Sequence, residues 1–331
     1  MRLLAGICLT LALIAAERPS AKMRMGPKGG IKTPGILIPF ENLKPELEFA
    51  TNWNPQWIAM PDSLWLPGGA SLERIDPKGK EAKFLPPVTG LKKACGGAIT
   101  AFGSVWVPDC GSGAVARIDA KSGKTVVSLA FGAGDAAGSI AANADSIWLL
   151  TDNRTTLSRI DPVQNVVVDE LRVPAGCQSL TFGENSLWLA CPNDDKVLRI
   201  NPATELQEKS IEGCAQPQAL ALGAGSVWAW CRKDGKVARI DPKTNKISAT
   251  VDVGVPGASG SMAFGEGSLW LSLPAFPITR IDPDANRVAQ QFWGEGGGAI
   301  AAGDGFVWLS NVHQGTLWKI DPRRIAATLA E

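Results

Sequence analysis

Along most of the chain, apolar residues fall in short runs separated by Gly, Asn, Asp, Ser and Pro. One run carries a Trp, at positions 65, 106, 148, 188, 228, 270 and 308. A second run closes on an Ile, at 75, 118, 160, 200, 240, 281 and 320. The pair thus recurs seven times at a spacing of roughly 40 residues, which is the signature of a propeller array.

The copy around Trp228 shows the unit. Residues 218–222 form a short apolar run, 223–226 a turn, 227–230 a second run and 231–236 a polar loop. Residues 237–241 are a third run, 242–245 a turn and 246–251 a fourth. Four short strands with turn signals between them predict one blade. Three residues before each Trp stand Asp62, Gly103, Asp145, Asn185, Gly225, Gly267 and Gly305, residue types that tolerate φ > 0 in a tight hairpin. Each Ile follows a base (Arg74, Arg117, Arg159, Arg199, Arg239, Arg280 or Lys319) and precedes Asp or Asn, mostly with Pro next. An Asx side chain accepts backbone N–H groups two residues on, and Pro presets the following φ, so a turn is predicted there.

The predicted fold is all-β: a seven-bladed propeller of four-stranded antiparallel blades over residues 45–331. The last copy has few residues left after Ile320-Asp321-Pro322 to make a fourth strand. The strand-like segment 45–50 precedes the first blade, and it is expected to pair into the seventh and close the ring. An open ring would leave unpaired edges. Residues 17–44, rich in Pro, Gly and Lys, read as a linker or extended lead-in. Residues 1–16, with Arg2, an apolar stretch to Ile14 and Ala15-Ala16, read as a signal peptide, too short to span a bilayer as a helix.

Charge adds little: the net charge is +1, which offers no electrostatic footprint for nucleic acid, and no later apolar run reaches membrane-spanning length. Export makes the six cysteines beyond the leader informative. They fall as Cys95 and Cys110, Cys177 and Cys191, Cys214 and Cys231, each pair bracketing one Trp run. An antiparallel hairpin brings the open ends of such a bracket together, which predicts disulfides 95–110, 177–191 and 214–231. Other connectivities, such as a 191–214 link between blades, stay open at this point. A zinc site lacks the Cys-x-x-Cys or His partners it would need.

The Gly-x-(Val/Leu)-Trp strand and the basic-Ile strand that follows resemble the seven-bladed propellers of the YVTN and streptogramin-lyase-like (virginiamycin B lyase-like) group, over roughly residues 45–322. The resemblance implies the same architecture. It also implies, for the lyases of that group, His and Glu side chains acting with a magnesium ion. The chain departs from that pattern. It has one histidine, His313, and the positions three residues after each blade Trp hold Gly68, Asp109, Thr151, Cys191, Cys231, Leu273 and Asn311 rather than Glu.

Features copied seven times hold blades together, because one pocket does not need seven copies. Residues that break the repeat, on the face carrying the strand two–three loops and the blade-to-blade loops, are the candidates for function. For ligand binding these are Trp57, Arg154, Trp230, Arg232, Phe276, Trp293 and His313. For catalysis they are His313, Glu295 and Asp152, with Asp109 and Asp194 behind them. The scarcity of acid/base side chains favours a secreted or periplasmic binding module with no cofactor, monomeric, taking a protein, glycan or small molecule. The competing expectation is a metal-dependent lyase or lactonase using magnesium or a similar ion.

Overall fold

The computed structural model describes residues 27–51, 54–60, 63–78, 83–133, 139–151 and 154–328. The leader, Asp62 and Asp152 lie outside the described residues.

Seven antiparallel sheets stand in a ring as blades I to VII. Blades II to V are each one continuous stretch of four strands; in blade V these are Pro217–Gly223, Ser226–Cys231, Lys236–Asp241 and Lys246–Asp252. Blade I has three full strands, and its innermost strand shrinks to a single bridge between Ala59 and Trp65. The first-to-second strand turns use two residues with positive φ, as at Ala224 (50°) and Gly225 (63°), the geometry that matches the twist of a tight hairpin.

The second strand of most blades is buried along its whole length, because neighbouring blades cover both its faces. All seven motif Trp side chains are at most 1% exposed. Four of their indole N–H groups donate back to the turn: Trp106 to the Ala101 carbonyl, Trp188 to Gly183, Trp228 to Gly223 and Trp270 to Gly265, at 2.9–3.2 Å.

The base before each Ile has a defined task. Arg239 lies 4.9 Å over the Trp228 ring and donates to Ser226 Oγ at 2.9 Å. It then reaches into blade VI, to the Pro283 carbonyl at 2.7 Å and Asn286 Oδ1 at 3.0 Å. Arg199 grips Pro242 and Asn245 of blade V in the same way, and Arg117 grips Pro162 and Asn165 of blade III. Arg74 reaches the Ala120 carbonyl, Arg159 reaches Glu205, and Lys319 donates to the Pro77 carbonyl of blade I at 2.6 Å. The Arg-Ile-Asp-Pro repeat is therefore an inter-blade clamp. Its Asp-Pro turn is the acceptor for the base of the preceding blade.

One junction lacks the clamp. Arg280 of blade VI bonds Gln290 Oε1 of its own blade at 3.0 Å. The reason is topological. Blade VII draws its fourth strand, β2 (Leu47–Ala50), from the far end of the chain, with Leu47 opposite Lys319 and Ala50 opposite Thr316. This is the predicted closure. No turn follows Ile320; Asp321 instead caps a short helix α1 (Pro322–Ala327), accepting from the Arg323 N–H.

Apolar packing covers this seam. Strand β1 (Leu37–Pro39) adds to the outer edge of blade VI in parallel, with Ile38 opposite Phe292. Phe40 stacks on Trp318 with ring centres 4.7 Å apart. Ile38, Phe40, Leu43 and Ile325 share one buried cluster with Trp270, Phe292 and Val307. Gln291, fully buried, accepts the Ile31 N–H at 2.7 Å. The segment read as an extended lead-in thus docks from Gly30 onward. Its apolar residues are too few and too interrupted by Pro and Gly to announce a strand.

Disulfides join Cys95–Cys110, Cys177–Cys191 and Cys214–Cys231, as the hairpin register predicts. No helix among the described residues is long and apolar enough to cross a membrane.

Candidate functional site

All three disulfides lie on the face that carries the strand two–three loops and the blade-to-blade loops. That loop face holds an open cleft of about 240 Å³ between blades V, VI and VII. Gln218 and Ser261, from the inner strands of blades V and VI, form its floor. Ser272 comes from the end of the second strand of blade VI, Pro274 from the strand two–three connection that follows it, and His313 from that of blade VII. Gly296-Gly297-Gly298 makes one wall in bare backbone. Side chains do not fit there. A Cβ on Gly296 would meet Asn311 Oδ1 at 2.8 Å, and one on Gly298 would meet the Ser310 carbonyl oxygen at 2.7 Å. The φ of Gly297, +93°, also excludes most residues.

The wall is held from behind. Asn311, 1% exposed, accepts the Gly297 N–H at 3.0 Å and donates to Thr316 Oγ1 at 3.3 Å. Ser272 Oγ accepts the Gly298 N–H at 3.1 Å. Gln218 Oε1 and Ser261 Oγ accept from Gly260 and Ile300 of the next blades, both at 3.2 Å. Ser139 and Ser179 do the same for Leu180 and Leu220. In blades III to VI a polar residue opening the inner strand therefore ties one blade to the next.

Of the predicted residues, His313 lines the cleft. His313 is exposed at the rim, and Glu295 is exposed beside Gly296. Arg232 donates to Gln216 Oε1 at 3.1 Å and to Ser259 Oγ, at the cleft edge, at 3.4 Å. Trp293, half-buried, ends the outer strand of blade VI opposite Pro39. Trp57, also half-buried, packs on the core between blades I and II, and Arg154 sits in the strand two–three loop of blade III.

Two predicted lining residues are core instead. Trp230 is 0% and Phe276 2% exposed, and both belong to the cluster that joins blades V and VI. Trp230 Nε1 donates to the Ala258 carbonyl at 2.9 Å, so even its polar edge is used internally. Both lie where a strand meets the loop face, and the blade-to-blade loop 253–260 and the N-terminal segment fold over them. Asp109 is also structural. It is 3% exposed and accepts the Lys92 and Lys93 N–H groups, the latter at 2.6 Å, and the Ser112 hydroxyl. Burial opposes its ionisation, but these hydrogen bonds outweigh it and hold the carboxyl below the usual carboxylate range. The residues that sequence reasoning missed are Gln218, Ser261 and Ser272. Their signal was a polar residue opening or interrupting an otherwise apolar strand.

Among solved structures, one reported as the streptogramin B lyase structure superposes with a TM-score of 0.69 at 20% identity, over 82% of this chain and 96% of that one. The chain shares the propeller fold of that enzyme. Hydrazine synthase from Kuenenia stuttgartiensis aligns with a TM-score of 0.55 at 11% identity, over 63% of this chain and 70% of that chain. No protein-family model and no curated protein matches the sequence.

The magnesium ion of the streptogramin-lyase-like group is not fitted by this cleft. Magnesium demands hard oxygen ligands in near-octahedral array. The cleft offers amides, hydroxyls and one imidazole. Among the described residues no three His, Cys, Asp or Glu side chains converge anywhere.

Proposed function

We propose that the chain is an exported binding module that takes a small molecule, or one unit of a larger glycan or peptide, into the loop-face cleft beside His313. The observation that carries this reading is the glycine wall. Three consecutive glycines, braced by Asn311 and Ser272, keep open a concave space beside the repeat-breaking His313. The volume, about 240 Å³, sits near the lower end for small-molecule pockets. Three disulfides and the leader-like N-terminus fit a secreted or periplasmic, oxidising compartment, and we expect a monomer there.

His313 is the sole histidine, so its imidazole gives one unique NMR signal set in the tag-free protein. A screen of small polar compounds and glycan units is expected to find ligands that move that signal. His313→Ala is expected to weaken them by roughly tenfold, about 1.4 kcal/mol. A screen in which no compound moves the signal would sink the reading. The fold shared with streptogramin B lyase favours a second reading, a lyase or lactonase. It would have to act through His313 and Glu295. Turnover of a cyclic ester substrate that needs a divalent ion and is lost in His313→Ala would establish it over the first.

A further inference from the structure

We infer that the occupant of the cleft is a neutral molecule presenting carbonyl oxygens, held by hydroxyl and amide hydrogens that the propeller's own bonding leaves over. This rests on the binding reading above and narrows it.

Four polar side chains at the cleft accept within the propeller, while Gln56 donates to the Asn54 carbonyl at 3.1 Å. Gln218 Oε1 accepts from Gly260, Ser261 Oγ from Ile300, Ser272 Oγ from Gly298 and Ser259 Oγ from Arg232. Because a backbone N–H faces Gln218, the atom turned toward it is the oxygen, which leaves the amide nitrogen with its two hydrogens. Each serine likewise keeps one hydroxyl hydrogen. Among the described residues no acceptor for these hydrogens lies within bonding distance. Ser272 is only 1% exposed and yet lines the cleft, so its hydrogen has little besides the cleft to address.

Charge decides between the classes of acceptor. The lining contains no Lys or Arg. The nearest guanidinium, Arg232, is tied to Gln216 through two nitrogens at 3.1 and 3.3 Å. Exposed Glu295 stands beside the glycine wall. A carboxylate or phosphate would find no counter-charge and one like charge. A cation would face hydrogens. A neutral carbonyl needs only donors. The space corresponds to about eight waters at about 30 Å³ each, room for a compact molecule with two or three carbonyl groups.

The test uses the full exported chain and four small probes: N-acetylglycine methylamide, acetate, propylammonium and glycerol. The His313 imidazole and Gly298 amide signals report occupancy. The diamide is expected to shift both signals, with the other three at least tenfold weaker. Gln218→Glu keeps the acceptor for Gly260 and removes the two donors. It is expected to weaken the diamide about tenfold at an unchanged melting temperature, and Ser261→Ala is expected to weaken it several-fold. If propylammonium or glycerol binds as well as the diamide, or if both variants bind it like the wild type, the donor inference is overturned while the binding reading stands. If no probe and no member of the wider screen moves either signal, both fall together.

Discussion

The inter-blade clamp carries a partial control, because Arg280 bonds the serine of its own blade as Arg239 does but bonds Gln290 of that blade instead of the next one. The perturbation is Arg→Met, which keeps the packed stem and removes the charged fork. At Arg239 it removes the stack on Trp228, the bond to Ser226, and the bonds to Pro283 and Asn286 of blade VI. Cation–π contact at a partly exposed site contributes about 0.5–1 kcal/mol. Charge-assisted hydrogen bonds contribute about 1.5–3 kcal/mol each when well desolvated. Arg239 is half-buried, so solvent replaces part of this. A loss of about 2–3 kcal/mol is expected for Arg239→Met. At Arg280 only intra-blade partners are lost, Ser268 and Gln290, and about 1 kcal/mol is expected. Urea unfolding measures both, with equal m-values as the check that the same transition is compared. Equal losses at the two positions would refute the claim that the bond to the next blade is what this residue contributes.

Three further outcomes are expected. Asp109→Asn removes a carboxylate whose folded-state pKa lies below its ordinary value, so the stabilisation it provides is complete above about pH 4 and disappears as pH falls through the folded value; melting curves of wild type and variant are expected to converge in acid and to separate at neutral pH, and a gap that widens in acid would refute the assignment. Replacing Cys177 and Cys191 together by Ser opens a loop with a sequence separation of 14 and is expected to cost about 3 kcal/mol in unfolding free energy. Phe40→Ala removes a 6%-exposed ring stacked on Trp318 and is expected to cost about 3 kcal/mol, with a rise in accessible Trp fluorescence that a peripheral side chain would not give.

The fold was legible because its unit is local. A two-residue turn, a buried Trp run and an Asx-Pro turn are each decided within about a dozen residues, and seven copies average out the exceptions. Ring closure through residues 45–50 was legible by counting strands. The docking of β1 was not. Three residues that pair in parallel with a distant strand leave almost no periodic signal, and Ile38 is buried by long-range packing on Trp270 and Phe292. The cleft was legible only in part. Breaks in the repeat marked His313, which lines it, and Glu295, next to its glycine wall. They also marked Trp230, whose break serves the core: its indole fills the space under loop 253–260 and bonds Ala258. Whether a side chain at a strand end turns inward or outward depends on what loop lies above it, and the repeat does not encode that. Gln218, Ser261 and Ser272 escaped because they sit inside strands, where a short polar residue reads as tolerance rather than purpose.

The pairing of β2 with the last strand sets the order in which the molecule can be made. Leu47 leaves the ribosome long before its partner Lys319. Blades II to V can each form as their own stretch appears, since every strand in them pairs with a near neighbour in sequence. The ring cannot shut until the whole array has been synthesised. Entropy charges little for joining ends so far apart, because the cost of loop closure grows only with the logarithm of length. The delay is kinetic. A nascent chain of this design stays an open arc until Lys319 has appeared, and that is the interval in which a chaperone would find it.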